Sequence, residues 1–229
     1  MSQPFLDDHL KNRMVEKMGY DFGILFQSLY YEVIWLTFKW MEYENLYGKK
    51  ESRVEILNSS APFMFYIIQN SLWENIILGI CRITDPPETR GKKNITLTAM
   101  SIQIKDNELK KEIEFELNEL NKKVEFCRDW RNRMVAHLDY DLAINTQFAK
   151  PLEIATRLKI KEAIHHIHKI IKKIFIKFLD SDLSFDYIFN PGGAESLLLK
   201  LENGLRFENE KKLKMLTEGL YKDNFPSKV

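Results

Sequence analysis

Arg131 is followed directly by the amide Asn132 and, with five residues between, by His137. These residue types suit phosphate chemistry. A guanidinium is a planar fork of N–H donors that matches phosphate oxygens two at a time. An imidazole titrates near neutral pH and can take or give a proton. Arg131 is therefore expected to act as a phosphate clamp and His137 as a general base or acid. Asn132 would orient the phosphate or the histidine, its bland role being a helix-end hydrogen bond. Arg133 and Asp139 flank these groups and would support them or touch the substrate.

The element that carries the arginine is a long helix starting near Asn107. Leu109, Ile113, Leu117, Leu120, Val124 and Cys127 recur at the three-and-four spacing of one helical face, and the next position on that stripe is Arg131, before Met134 and Leu138. A charge on an apolar stripe needs compensation. Within the chain the candidates are Glu125, Asp129 and Asp139; otherwise the compensation is a ligand. On an ideal helix six steps place His137 about 120° around from Arg131. The two converge only if the helix ends or distorts between them, or if a second chain brings its own copy. An ending is expected, since the apolar period stops after Leu138 and turn signals fill Asp139 to Pro151.

At these residues the chain resembles the HEPN domains (higher eukaryotes and prokaryotes nucleotide-binding), whose signature is an arginine four to six residues before a histidine. The string Arg131-Asn132-Arg133-Met134-Val135-Ala136-His137-Leu138-Asp139 fits it. More narrowly, the chain is similar to HEPN proteins of the abortive-infection U type. They share a block like Arg53-Val54-Glu55-Ile56-Leu57-Asn58 and a helix end like Leu78-Gly79-Ile80-Cys81-Arg82-Ile83-Thr84-Asp85-Pro86. The resemblance runs from about Leu46 to Leu179.

It implies a metal-independent endoribonuclease, a phage-defence or toxin effector, with RNA as substrate and no cofactor or metal. It also implies a homodimer in which two motifs face each other, and an antitoxin or regulatory protein as a further partner. The alternative is a non-catalytic HEPN-like module that binds RNA, a nucleotide or a partner protein. HEPN toxins silenced by nucleotidylation carry a tyrosine two positions after the histidine. Here that position is Asp139, and Tyr140 follows.

Composition fits without discriminating. The 229 residues are 45% apolar and 29% charged, with a net charge of +1, so no global field draws the chain to a polyanion and any such site is local. Cys81 and Cys127 fall on apolar helical faces and read as core residues in a reducing cytoplasm. The first eight residues do not have the form of a secretory signal. The apolar stretches Phe22 to Met41 and Pro62 to Ile83 carry Gln27, Glu32 and Lys39, and Gln69, Asn70, Glu74 and Arg82, which lipid would resist. No membrane association is expected.

The fold class expected is all-α: an up-and-down bundle of four long helices over residues 1–180, with a C-terminal helical appendage over 181–229 packed on the bundle or on a partner. The helices are placed at Tyr20 to Tyr47, Pro62 to about Thr84, from Asn107 onward, and Ala155 to Leu179, with a tail helix over Ala194 to Phe207. Arg53 to Leu57 reads as a short helical turn, and Ile95 to Ile104 is ambiguous between strand and helix. Glu88 to Asn94 reads as a charged, glycine-containing loop, disordered or substrate-facing. On the fourth long helix His165, Lys169 and Lys172 share a flank and are expected to form a solvated or RNA-facing basic surface. A metal pair of His165 and His168 is the weaker reading, since no carboxylate or cysteine accompanies them.

Overall fold

A computed structural model describes residues 8–144, 147, 149–185 and 192–218. Among the described residues the chain is helical almost throughout. The order is α1 (Asp8–Met18), α2 (Tyr20–Tyr43), a π-helical turn (Glu44–Gly48), α3 (Glu51–Ser60) and α4 (Pro62–Thr84). A small hairpin follows, β1 (Glu88–Thr89) and β2 (Lys92–Lys93). Then come α5 (Leu97–Gln103), α6 (Asn107–Lys123), α7 (Glu125–Trp130), a second π-helical turn (Arg131–Val135), α8 (Tyr140–Ala143), α9 (Arg157–Leu179) and α10 (Ala194–Thr217). The chain is all-α, as its patterning predicts. None of the described helices is long and apolar enough to cross a membrane.

Local chemistry explains where the elements start and stop. Asp106 caps α6 by accepting from the backbone N–H groups of Glu108 and Leu109, and Lys122 and Lys123 sit in its last turn, where cations complement the helix dipole. Thr156 caps α9 through the Lys159 N–H, and α9 closes at Asp180 in the left-handed region with φ 45°. Thr96 caps α5. Pro62 opens α4, where its missing N–H is no loss, and Pro86 and Pro87 prevent its continuation.

The chain divides into two compact units. The first comprises residues 1–41 and 72–188. Its core is lined by side chains such as Phe26, Leu29, Val33, Ile76, Ile80, Ile113, Leu120, Ile160, Ile167 and Ile174, all fully buried. Here α6 packs along α9, and α1 lies on α9. α1 also comes so close to α2 that a Cβ at Gly23 would meet the Val15 Cα at 2.8 Å. The second unit comprises residues 42–71 and 189–229. α3 and α10 share a small core of Leu46, Leu57, Phe65, Ala194 and Leu198. Arg53 reaches Glu195 at 2.8 Å and the Asn45 carbonyl at 2.7 Å. This grouping cuts across the boundary at residue 180 expected from the sequence, because the tail helix shares a core with α3.

Several elements differ from expectation. α1 was not anticipated, although Leu10, Met14 and Met18 recur at four-residue spacing and Met14 is fully buried. The first long helix is α-helical only to Tyr43 and continues as a π-turn to Gly48. α3 spans ten residues rather than a single turn. Ile95 to Ile104 resolves into helix α5. α10 runs through the charged stretch Glu208 to Lys214 as far as Thr217. The expectation of a fraying end at Asp223 to Val229 lies outside the described residues.

Candidate functional site

The arginine motif sits where α7 meets the end of α4, both within the first unit. Arg128 makes the join. Its Nη2 donates to the Thr84 carbonyl at 3.1 Å and to Asn121 Oδ1 at 2.8 Å, while Nη1 donates to Glu125 Oε1 at 2.9 Å and to the Asn121 carbonyl at 3.2 Å. The Thr84 carbonyl belongs to the last turn of α4, whose acceptors have no partner within the helix. One side chain thus satisfies a helix end and sets the next residue, Asp85, beside the α7 segment.

Asp85 is the partner of Arg131. The Arg131 Nη1 lies 2.7 Å from both carboxylate oxygens of Asp85, and Nε donates to Asn132 Oδ1 at 3.0 Å. The sequence-based candidates Glu125, Asp129 and Asp139 do not hold this arginine: Glu125 bonds Arg128, and Asp129 and Asp139 pair with Arg133. Nη2 of Arg131 has no hydrogen-bond partner among the described residues. Burial works against the charge of Arg131, but the hydrogen bond to Asp85 outweighs it and the pKa is raised, so the group stays cationic. The Arg131 side chain is one-quarter exposed.

The helix distorts between Arg131 and His137. Arg131–Val135 forms a π-turn in which the Ala136 N–H donates to the Arg131 carbonyl at 2.8 Å, five residues back. The Asp139 N–H then reaches the Arg133 carbonyl at 3.0 Å, and the helical path ends. His137 follows this turn with an exposed side chain. Among the described residues no hydrogen bond joins its ring to Arg131, Asn132 or any other group. The structure therefore brings Arg131, Asn132 and Asp85 into contact and leaves His137 open to solvent.

Arg133 and Asp139 have structural partners. Arg133 donates to the carbonyls of Lys150 and Pro151 and lies 3.5 Å from Asp129 and 3.6 Å from Asp139. Asp129 also accepts from the Glu153 N–H at 2.8 Å, and Trp130 Nε1 donates to the Glu153 carbonyl at 2.7 Å. These bonds strap residues 150–153 to α7 and the π-turn. Asp139 caps α8 by accepting from the Leu142 N–H.

The basic flank of α9 is less open than expected. Lys169 lies 2.7 Å from Glu116 and Lys172 2.7 Å from Asp182, so both ammoniums are paired, whereas His165 is exposed. His168 is largely buried, lies 2.7 Å from the Thr37 hydroxyl and stacks on the Phe185 ring with centroids 3.9 Å apart. The Thr37 hydroxyl donates its proton to the Val33 carbonyl, so His168 Nε2 is the donor in their bond. Burial pushes the His168 pKa down to about 4. No group of three or more metal-binding side chains occurs among the described residues. Burial pushes the Cys81 thiol up to about 11 and raises that of Cys127 as well, so neither is a nucleophile at neutral pH.

The chain is all-α, and Arg131 and His137 lie on either side of a distorted helix end with five residues between them. Residues 20–193 of the 229 match the model of the HEPN family AbiU2, and the chain belongs to this family. No curated protein and no solved structure matches the chain.

Proposed function

We propose that the protein is a metal-independent endoribonuclease acting in abortive infection or as a toxin, with Arg131, Asn132 and His137 as its reactive groups. The observation that carries this reading is the state of Arg131: two of its nitrogens are fixed by Asp85 and Asn132, and Nη2 has no partner among the described residues. A guanidinium held on two sides keeps its third donor aimed without losing entropy on binding, which suits a phosphate oxygen. The exposed imidazole of His137 supplies proton transfer.

In the proposed reaction a base removes the proton of an RNA 2′-hydroxyl and its oxygen attacks the adjacent phosphorus. Arg131 stabilises the added negative charge. The bond to the 5′-oxygen breaks, an acid protonates that oxygen, and the products are a 2′,3′-cyclic phosphate and a 5′-hydroxyl. Two proton transfers call for two titrating groups, so a second copy of the chain is proposed to bring its own His137 to the same groove. RNA and a second copy are thus the partners, with an antitoxin or regulator as restraint.

The rival reading, a HEPN-like module that binds RNA or a nucleotide without cutting it, is favoured by one observation: nothing among the described residues orients the His137 ring. The purified protein incubated with total RNA in excess chelator separates the two. Cleavage leaving cyclic phosphate ends supports the first reading, and binding without cleavage supports the second.

A further inference from the structure

Beside Asp85 a groove of about 510 Å³ opens between the end of α4 and the hairpin. Its lining includes Arg82, Asp85, Thr89, Lys93, Asn94 and Ile95. That volume lies within the range of sites that hold small organic ligands, about 300 to 1,000 Å³. Asp85 is common to this groove and to the Arg131 contact, so the two are neighbours joined by one carboxylate.

The hairpin wall is built rather than loose. Arg90 and Gly91 both have positive φ, 51° and 76°, the backbone of a tight two-residue turn whose twist matches the flanking strands. Asn94 locks its base: Nδ2 donates to the Pro86 carbonyl at 3.0 Å and to Thr89 Oγ1 at 2.9 Å, and its backbone N–H donates to the Pro87 carbonyl at 2.8 Å. With both amide protons committed, Asn94 Oδ1 and the Thr89 hydroxyl are the polar groups left to read a ligand. Ile95 is half exposed and gives the groove an apolar wall.

Charge favours an anion. The carboxylates are already compensated, Glu32 by Arg82 at 2.7 Å and Asp85 by Arg131 at 2.7 Å. Lys93 has no ion pair among the described residues, and the half-buried Lys39 lies near both Arg82 and Glu32. Lys93, opposite Glu88 in the hairpin register but without an ion pair among the described residues, together with an apolar wall and fixed polar groups, offers a nucleotide three contacts: a phosphate, a base face and a base edge.

We propose that this groove is an RNA subsite that holds the nucleotide next to the phosphate gripped by Arg131, with Lys93 on its phosphate and Ile95 against its base. The proposal rests on the ribonucleic acid reading of the Arg131 site and adds where the strand runs beyond it. It also assigns the charged hairpin as a specificity element.

The test uses a short single-stranded RNA carrying 2′-O-methyl groups, which cannot be cut, titrated by fluorescence anisotropy at several salt concentrations. Lys93→Gln is expected to weaken binding by about threefold to tenfold and to lower the salt slope by about 0.7, the signature of one lost phosphate contact. Lys111→Gln, the same charge change on the exposed face of α6, is expected to leave both unchanged. Ile95→Ser is expected to weaken binding without altering the slope, since an apolar contact releases no counterion. If Lys93→Gln behaves like Lys111→Gln, or the wild-type chain does not bind this RNA, the subsite is overturned. Binding of adenosine monophosphate that depends on Lys93, without binding of the RNA, overturns RNA as its ligand. Lys93-dependent RNA binding in a protein that cuts no natural RNA upholds the subsite and refutes the nuclease reading alone.

Discussion

On α9 the basic side chains meet acids across the helix interface: Glu116, almost fully buried, accepts from Lys169 at 2.7 Å and Lys173 at 3.2 Å and lies 2.9 Å from His166. At the end of α7, Arg131 is held by Asp85 and Asn132 yet keeps one donor nitrogen without a partner among the described residues, and His137 stands in solvent. Both regions gather histidine, carboxylate and cation. In the first every group is matched within the chain, which fixes α6 on α9. In the second the matching stops short, and the residual hydrogen-bonding capacity is what a ligand can use. Histidine count and basic spacing therefore say less about a site than the number of donors that remain uncommitted.

Substitutions can break this contrast from either side. The largest effect is expected from Arg131→Lys. A single ammonium cannot contact Asp85, Asn132 and a phosphate in one plane, and loss of one charge-stabilising donor commonly slows a reaction by about 10² to 10³. A cleavage assay on natural RNA reads this directly, with melting temperature as the check that the fold survives. Activity within a few fold of wild type would remove Arg131 from the chemistry.

Glu116→Ala strikes the matched region. It leaves the buried His166 without its carboxylate and takes an acceptor from the part-exposed Lys169 and Lys173, of which Lys173 keeps Glu112, and an expected loss of about 2 to 4 kcal/mol follows from the broken charge-assisted bonds. For a chain of this size that is a drop of roughly 5 to 15 °C in melting temperature. Glu116 itself is charged because the Lys169 and Lys173 ammoniums outweigh its burial and lower its pKa. RNA binding at temperatures where the variant remains folded should be unchanged. A variant as stable as wild type would show that the pairing on α9 is incidental.

A smaller effect concerns pH. His168 is neutral in the folded chain, its pKa depressed to about 4 by burial, while an unfolded histidine titrates near 6.5. The unfolded chain thus binds more protons between these values, so stability is present above about pH 6.5 and is lost as pH falls toward 4. His166, also lowered chiefly by burial, acts with the same sign. Denaturant titrations are expected to show a loss of about 1 to 2 kcal/mol from His168 between pH 7 and pH 5. In His168→Gln, which keeps a donor for Thr37, that part should vanish. Identical pH slopes in the two proteins would contradict the buried, neutral state. The smallest change is expected from Lys172→Gln, which breaks an exposed pair with Asp182 and should leave the melting temperature essentially unchanged.

Much of this was legible in the residues. The apolar stripes of α6 and α9 and the proline stops around α4 placed the main helices, because each signal is local and repeated. The misfit of Arg131 on its stripe pointed to a compensating partner, which is Asp85, and the π-turn falls between Arg131 and His137 without a hydrogen bond joining their side chains among the described residues. What escaped was the non-local part. Asp85 was in view as part of the Arg82-Ile83-Thr84-Asp85-Pro86 helix end, yet only the fold, through Arg128 gripping the Thr84 carbonyl, brings it to Arg131. The pairing of Lys169 with Glu116 escaped for the same reason: α9 looks basic when read alone, and its counter-charges are on α6.

The most direct test sets the two histidine regions against each other. His137→Ala and His165→Ala replace exposed imidazoles, one at the π-turn and one on α9. Cleavage of RNA in excess chelator is expected to fall by about 10² to 10⁴ in His137→Ala, the usual worth of a proton-transfer group, and to stay within a few fold of wild type in His165→Ala. Cleavage that survives in His137→Ala and is lost in His165→Ala would contradict the account and move the active site to α9.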